Sequence, residues 1–208
     1  MDMIFNIDTL LFLGRGLLNT LIISFTSIIL SFFFGSILGI ARFYGKGPLA
    51  KFAILYVDII RNIPLLLFII GFRFTLPLPP LLSAITAMTV FTTAMVAEII
   101  RGGLSAVPQG QWEAAYSQGF SFAGTMIHVV MPQTLKKIIR PLMGQFVTAI
   151  KDTSFCQIIA VKELMYSGMI IMGKFVHSYQ IIVLYTLIAC IYYIVNLTVV
   201  RLSRKIET

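Results

Sequence analysis

Charge is what this chain has least of. Only 12% of its 208 residues are Asp, Glu, Lys or Arg, against 58% hydrophobic, too apolar a balance for an ordinary soluble domain. Cysteine is nearly absent. Cys156 and Cys190 both sit in apolar surroundings and read as small buried hydrophobes, not as a disulfide or a metal site. The two histidines, His128 and His177, have no second ligand at metal spacing, so no metal centre is expected. No G-x-x-x-x-G-K-[ST] run occurs, which excludes a phosphate-binding loop of that type. Neither a nucleophile elbow nor His-Glu-x-x-His is present, so nothing supports a membrane hydrolase.

What is present is a series of long apolar runs. A membrane-crossing helix needs about 20 apolar residues, and the runs do not alternate as barrel strands do. The fold class expected is therefore all-α: one polytopic membrane domain over residues 1–208, with about five transmembrane helices. The spans are expected at about 17–41, 48–72, 81–100, 138–159 and 180–200. Gly35-Ser36-Ile37-Leu38-Gly39 in span one carries small residues four apart, a face suited to close helix packing. Pro64 in span two predicts a kink or break there. Thr75 to Pro80 reads as a rigid external turn, and Val161–Tyr179 as a less regular segment before span five. The N-terminus has Asp2 and Asp8 instead of a basic region, so no cleavable signal peptide is expected and span one serves as the targeting signal.

The net charge of +8 matters through its placement. Lys and Arg cluster at the ends of apolar runs, which leaves no basic groove for nucleic acid. Counting the turn after span one, the stretch 101–140 and the C-terminus as one side gives ten Lys/Arg. The opposite side has at most five: Arg15, Arg73, Lys151, Lys162 and Lys174. The positive-inside rule then puts the N-terminus outside and the C-terminus in the cytoplasm, together with the polar stretch 101–137.

That stretch is too polar to span and too long for a hairpin. It reads Gln111-Trp112-Glu113-Ala114-Ala115, three residues (Tyr116, Ser117, Gln118), Gly119, nine residues from Phe120, then Val129-Val130-Met131-Pro132. Ala114 and Ala115 favour helix and permit close approach. Glu113 offers a carboxylate to a cation of a partner. Gly119 can take the backbone angles that turn the chain out of the helix. Pro132 is expected to stop the next element and begin the return to span four.

This pattern resembles the cytoplasmic coupling loop by which membrane subunits of ATP-binding-cassette (ABC) importers grip their ATPases. Arg61-Asn62-Ile63-Pro64-Leu65-Leu66 resembles the Arg-Gly-Thr-Pro-Leu-Leu segment of polar amino-acid importers. Ala97-Glu98-Ile99-Ile100-Arg101-Gly102-Gly103, Pro132-Gln133 and Lys151-Asp152-Thr153-Ser154 are similar to further stretches of that group. The chain departs from it at Asn62-Ile63, at Met95 and Gln118, where Tyr and Leu are frequent, and at Val129 and Met131. The resemblance covers about Arg61 to Leu164 and points to the histidine/glutamine type of permease, with the type I importer transmembrane fold.

The resemblance implies a multi-pass subunit of a bacterial plasma (inner) membrane that is not itself an enzyme. ATP and Mg would be held by partner ATPase subunits, and this chain would hold no cofactor. It implies an external amino-acid-binding protein, and pairing with a second copy or a homologous permease, in contact with lipid and not nucleic acid. Glutamine or glutamate is the first substrate choice and a basic amino acid the second. Residues 111–115 and 117–120 would form the ATPase-coupling surface.

The charged residues within spans remain open to two readings each. Asp58 and Arg61 are spaced to pair, as a structural clamp at the Pro64 break or with Arg61 drawing a substrate carboxylate. Glu98 and Arg101 share that spacing and read as a bridge orienting the coupling loop. Gln145 and Thr148 either line a pathway or bond neighbouring helices. Lys151 and Asp152 interrupt span four, as part of a gate or as a docking surface for the binding protein. Rival readings are a passive channel, an ion-coupled carrier, and an assembly subunit that lines no pathway.

Overall fold

The computed structural model describes residues 5–204; Asp2 and Lys205, used above in reading the termini, lie outside them. The described chain is all-helical. Three helices are long and apolar enough to cross a membrane, and the number reaches five if each of two bent pairs makes one crossing.

Helix α1 spans Ile7–Tyr44, ten residues earlier than hydrophobicity alone suggested. Asn6 caps it by accepting from the Asp8 N–H, and Asp8 in the first turn complements the helix dipole. One stripe of α1 is made of small residues: Gly16, Thr20, Ser24, Ser27, Ser31, Gly35 and Gly39 are all buried. Its C-terminal half packs on α4 (Pro80–Ser105), where a Cβ on Gly39 would lie 2.6 Å from the Ala97 carbonyl oxygen. The Gly35–Gly39 face therefore meets a neighbour within the same chain. Ser27 crosses the seam by donating to the Ile85 carbonyl at 3.3 Å.

The expected second span is two helices, α2 (Gly47–Arg61) and α3 (Leu65–Thr75), turned by 106° at residues 62–64. This is a break and not a kink. Pro64 withholds an N–H and holds extended backbone at the start of α3. On α2, Ala53, Val57 and Ile60 are buried against α1 and α4, while Lys51, Asp58 and Arg61 face outward.

After α4 come the short α5 (Gln109–Ser117) and α6 (Phe122–Thr125), then a π-helical turn, Met126–Val130, and α7 (Met131–Asp152). Pro132 does not stop an element, which corrects the expectation. It sits in the first turn of α7, where proline's preset φ suits a helix start, and the preceding π turn carries the chain through. Beyond Asp152 the helix tightens to a 3₁₀ segment, Thr153–Ile159, with the Thr153 hydroxyl donating back to the Ile150 carbonyl at 2.7 Å.

The segment from Val161 to Tyr179 is more regular than its sequence suggested. It contains α8 (Leu164–Met172), bent 49° from the preceding stretch, and leads to α9 (Ser178–Arg204). Glu163 makes α8 possible. Its carboxylate accepts from the Met165 and Tyr166 N–H groups at 2.8 and 2.6 Å and from the Tyr192 hydroxyl of α9 at 3.2 Å. The side chain is fully buried and ties α8 to α9, while Thr20 of α1 accepts from the Leu164 N–H. Cys156 is buried in the core, whereas Cys190 is exposed on α9, so only the first is a buried hydrophobe.

Candidate functional site

Helix α5 has two faces. Ala115 is buried and Trp112 half-buried on one; Gln111, Glu113, Ala114, Ser117 and Gln118 are exposed on the other, with Gly119 and Phe120 beyond its end. The buried side is anchored through rings. Trp112 stacks on Phe43 of α1 at 6.0 Å and on Phe122 of α6 at 6.1 Å, and Phe122 meets the Tyr44 ring at 5.1 Å.

The end of α5 is a Schellman motif. Gly119 takes φ +83°, its N–H bonds to the Tyr116 carbonyl at 2.9 Å, and the Phe120 N–H reaches the Ala115 carbonyl at 3.1 Å. Gly119 thus turns the chain out of the helix in the left-handed conformation that a Cβ disfavours. Within the exposed face, Gln109 donates to the Glu113 carboxylate at 2.7 Å and the Ser117 hydroxyl to the Glu113 carbonyl at 2.9 Å. Gln133 on α7 donates to the Gln111 side chain at 3.2 Å, and the Lys137 ammonium donates to the Ala106 carbonyl at the end of α4. The result is a short, exposed helix carried on a firm base.

Arg42, the neighbour of Phe43 in the last turn of α1, belongs to a cluster of five charges. Glu98 of α4 holds Arg101 through two bonds of 2.6 and 2.9 Å, and lies 3.4 Å from Arg42 and 3.5 Å from Arg61. Arg42 also bonds Asp58 at 2.7 Å. The Glu98–Arg101 pair forms as its spacing suggested. The Asp58–Arg61 pair does not: each finds a partner on another helix, because the α1 terminus and α4 present opposite charges to α2. Three guanidinium groups around one half-buried carboxylate leave the cluster cationic, with Arg61 the more open to water and Arg42 largely covered.

The remaining pathway candidates follow α7. Thr148 and Lys151 are exposed, Gln145 and Asp152 half-buried, and the Thr148 hydroxyl donates to the Gly144 carbonyl of its own helix. Gly144, Thr148 and Lys151 line one exposed stripe, opposite the buried Leu142, Ala149 and Ile150. Arg61 is tied to α4 and does not join this stripe by any ion pair. Among the described residues no group of three or more His, Cys, Asp or Glu could hold a metal ion.

Two participants were not singled out from sequence. In the sequence Arg42 is one flanking charge among several, and Glu163 stands outside every motif. Arg42 lies too far along the chain from its partners for local spacing to reveal it. Glu163 carried a signal that could have been read: an acid within an apolar segment, immediately before a helical run.

Residues 31–208 match the family described as binding-protein-dependent transport system inner membrane component. The chain belongs to that family. The probable glutamine ABC transporter permease protein GlnP of Bacillus subtilis is 42% identical over 206 residues, covering 96% of this chain and 94% of that protein. The L-cystine transport system permease protein TcyB of the same organism is 38% identical, covering 86% and 80%. A solved amino acid ABC transporter with histidines superimposes with a TM-score of 0.87 at 28% identity, covering 100% of this chain and 98% of that one. The protein is thus an ABC amino-acid permease of the inner membrane, and its all-helical architecture is the type I importer fold.

Proposed function

We propose that this permease forms the translocation pathway of an ATP-driven importer for a polar L-amino acid, with glutamine or glutamate as substrate and a basic amino acid as second choice. The carrying observation is α5, a short helix exposed on one face, capped by Gly119 and fixed on the other face to α1 and α6. A membrane subunit that lacks a phosphate-binding loop must receive motion from a protein that has one. A rigid exposed helix is the element suited to sit in a groove of that protein. Gln111 to Ala115 and Ser117 to Phe120 form the ATPase-coupling surface, with Glu113 as the charge that fixes orientation. ATP and Mg reside on the ATPase, and this chain holds no cofactor.

The α7 stripe supports pairing. Lys151 with its neighbours Thr148 and Gly144 is exposed on a membrane helix, and such a face is costly against lipid. A second copy, or a homologous permease, covers it across a two-fold axis, and two coupling helices then meet two ATPase subunits. On this reading Gln145, Thr148, Lys151 and Asp152 line the path between the halves, with Arg61 as a further pathway residue on α2 and Asp58, Pro64, Glu98, Arg101 and Pro132 as structural supports. The N-terminus faces outward, where an external binding protein delivers substrate, and the C-terminus faces the cytoplasm. The choice of glutamine is supported by the similarity to GlnP, while TcyB, nearly as similar, is a permease for another amino acid.

Affinity purification from native membranes tests the proposal. A co-purifying ATPase, with L-glutamine uptake into proteoliposomes that requires ATP, is the expected result. A chain that purifies alone and moves the amino acid without ATP would establish an ion-coupled carrier or passive channel instead.

A further inference from the structure

The last turn of α1 has three consecutive residues that between them face four other helices. Phe43 stacks on Trp112 of α5, Tyr44 meets Phe122 of α6 edge-on, and Arg42 reaches both Asp58 of α2 and Glu98 of α4. Asp58 lies one helical turn before the 106° break, and its backbone carbonyl accepts from the Asn62 side chain within that break at 2.6 Å. We infer that this turn of α1 is the transmission element of the permease, delivering movement of the coupling helix to the α2–α3 break through Phe43 and Arg42. This inference rests on the importer reading above.

The physics favours this route over a direct one. Helix α5 packs mainly on α6 and the π turn that follows, and among the described residues none of its side chains meets α2 or α3 through a ring contact, hydrogen bond or ion pair. A displacement of α5 therefore reaches the break only through an intermediate. Stacked rings transmit lateral displacement because sliding them apart exposes apolar surface on both. Arg42 then converts that displacement into a choice of carboxylate. It binds Asp58 at 2.7 Å and stands 3.4 Å from Glu98, while one of its guanidinium nitrogens is buried without a hydrogen-bond partner. A small shift of α1 would let Arg42 complete its bond to Glu98 and loosen Asp58. Two packed arrangements of one cation between two anions are the kind of bistable element that carries coupling between sites.

The test uses the complete complex, permease with its ATPase and binding protein, in proteoliposomes with L-glutamine as probe. Phe43→Leu keeps apolar volume but removes the stack, and Arg42→Gln keeps length but removes the charge. Each is expected to reduce L-glutamine stimulation of ATP hydrolysis by about 5-fold, the usual range for residues within a coupling network. Subunit association and unstimulated hydrolysis should stay near wild type, and Phe43→Tyr, which retains a ring, should restore stimulation. Because the two residues act in series, the double variant should lose no more than either single one. Fold-losses that multiply in the double variant, or a normal response in Phe43→Leu, would overturn the route through α1. A wild-type complex stimulated by none of L-glutamine, L-glutamate or a basic amino acid would sink the importer reading and this inference with it.

Discussion

Gly39→Ala adds a single methyl group to α1, and the structure assigns its cost. The new Cβ would stand 2.6 Å from the Ala97 carbonyl oxygen and 2.9 Å from the Ile100 Cβ. Neither is the free end of a flexible side chain, so the helices must separate. Overpacking of this kind costs up to about 3 kcal/mol. Alanine recovers roughly 1 kcal/mol relative to glycine inside a helix. The net loss is about 2 kcal/mol, or a thermal midpoint roughly 4–8 °C lower for a chain of this size. Gly14 provides the control, because it lies on the same helix with nothing within 4 Å of an added Cβ. Gly14→Ala should therefore raise the midpoint by roughly 2–4 °C, from helix propensity alone. Heating each variant in detergent and measuring the fraction that remains monodisperse gives both values. Equal midpoints for the two variants would refute the claim that α1 and α4 are in backbone contact at Gly39.

Three further outcomes can be measured. Gly119→Pro, which removes the N–H used at the helix end, or Glu113→Arg should abolish ATP-driven uptake in proteoliposomes while membrane insertion stays intact; uptake surviving both would remove the coupling role from α5. Glu98→Gln leaves three arginines around a neutral amide and should destabilise the fold by about 2 kcal/mol, as expected for lost hydrogen bonds to a charged group. A midpoint that does not move, read by the same heating assay, would show that the cluster contributes little. Glu163→Ala removes the cap of α8 and should cost about 1–2 kcal/mol, while Glu163→Asp should lose less; proteolytic nicking near Lys162 or Lys174 reports the loosened helix.

Much of this architecture could be read from sequence because its signals are local. Helix α5 and its end follow from Glu113, two alanines and Gly119, each acting within one or two turns, and the Schellman end forms at the glycine that suggested it. Glu98 and Arg101 pair because three residues on a helix bring them together. Where a partner comes from another helix, local spacing misled. Asp58 and Arg61 have the same spacing as Glu98 and Arg101, yet each pairs instead with a residue of another helix. The expectation for Pro132 fails for a related reason, since a proline both ends and begins helices and only the preceding π turn distinguishes the two. The stripe of small residues on α1 was legible only at Gly35 and Gly39. Its serines and threonine carry no marker of burial until a neighbouring helix supplies it.

Helix α1 is also long for its surroundings. Its 38 residues extend about 57 Å at 1.5 Å per residue. The apolar part from Leu17 to Ala41 alone covers about 37 Å, against a hydrocarbon layer of about 30 Å. An excess of this size is accommodated by tilt, by a kink or by a locally thicker bilayer. Because Phe43 and Tyr44 at its end hold Trp112 and Phe122, the angle of that strut sets where α5 stands. The exposed face of α5 is thereby mounted on the end of a strut longer than the hydrocarbon layer is thick, and its position follows from that of the strut.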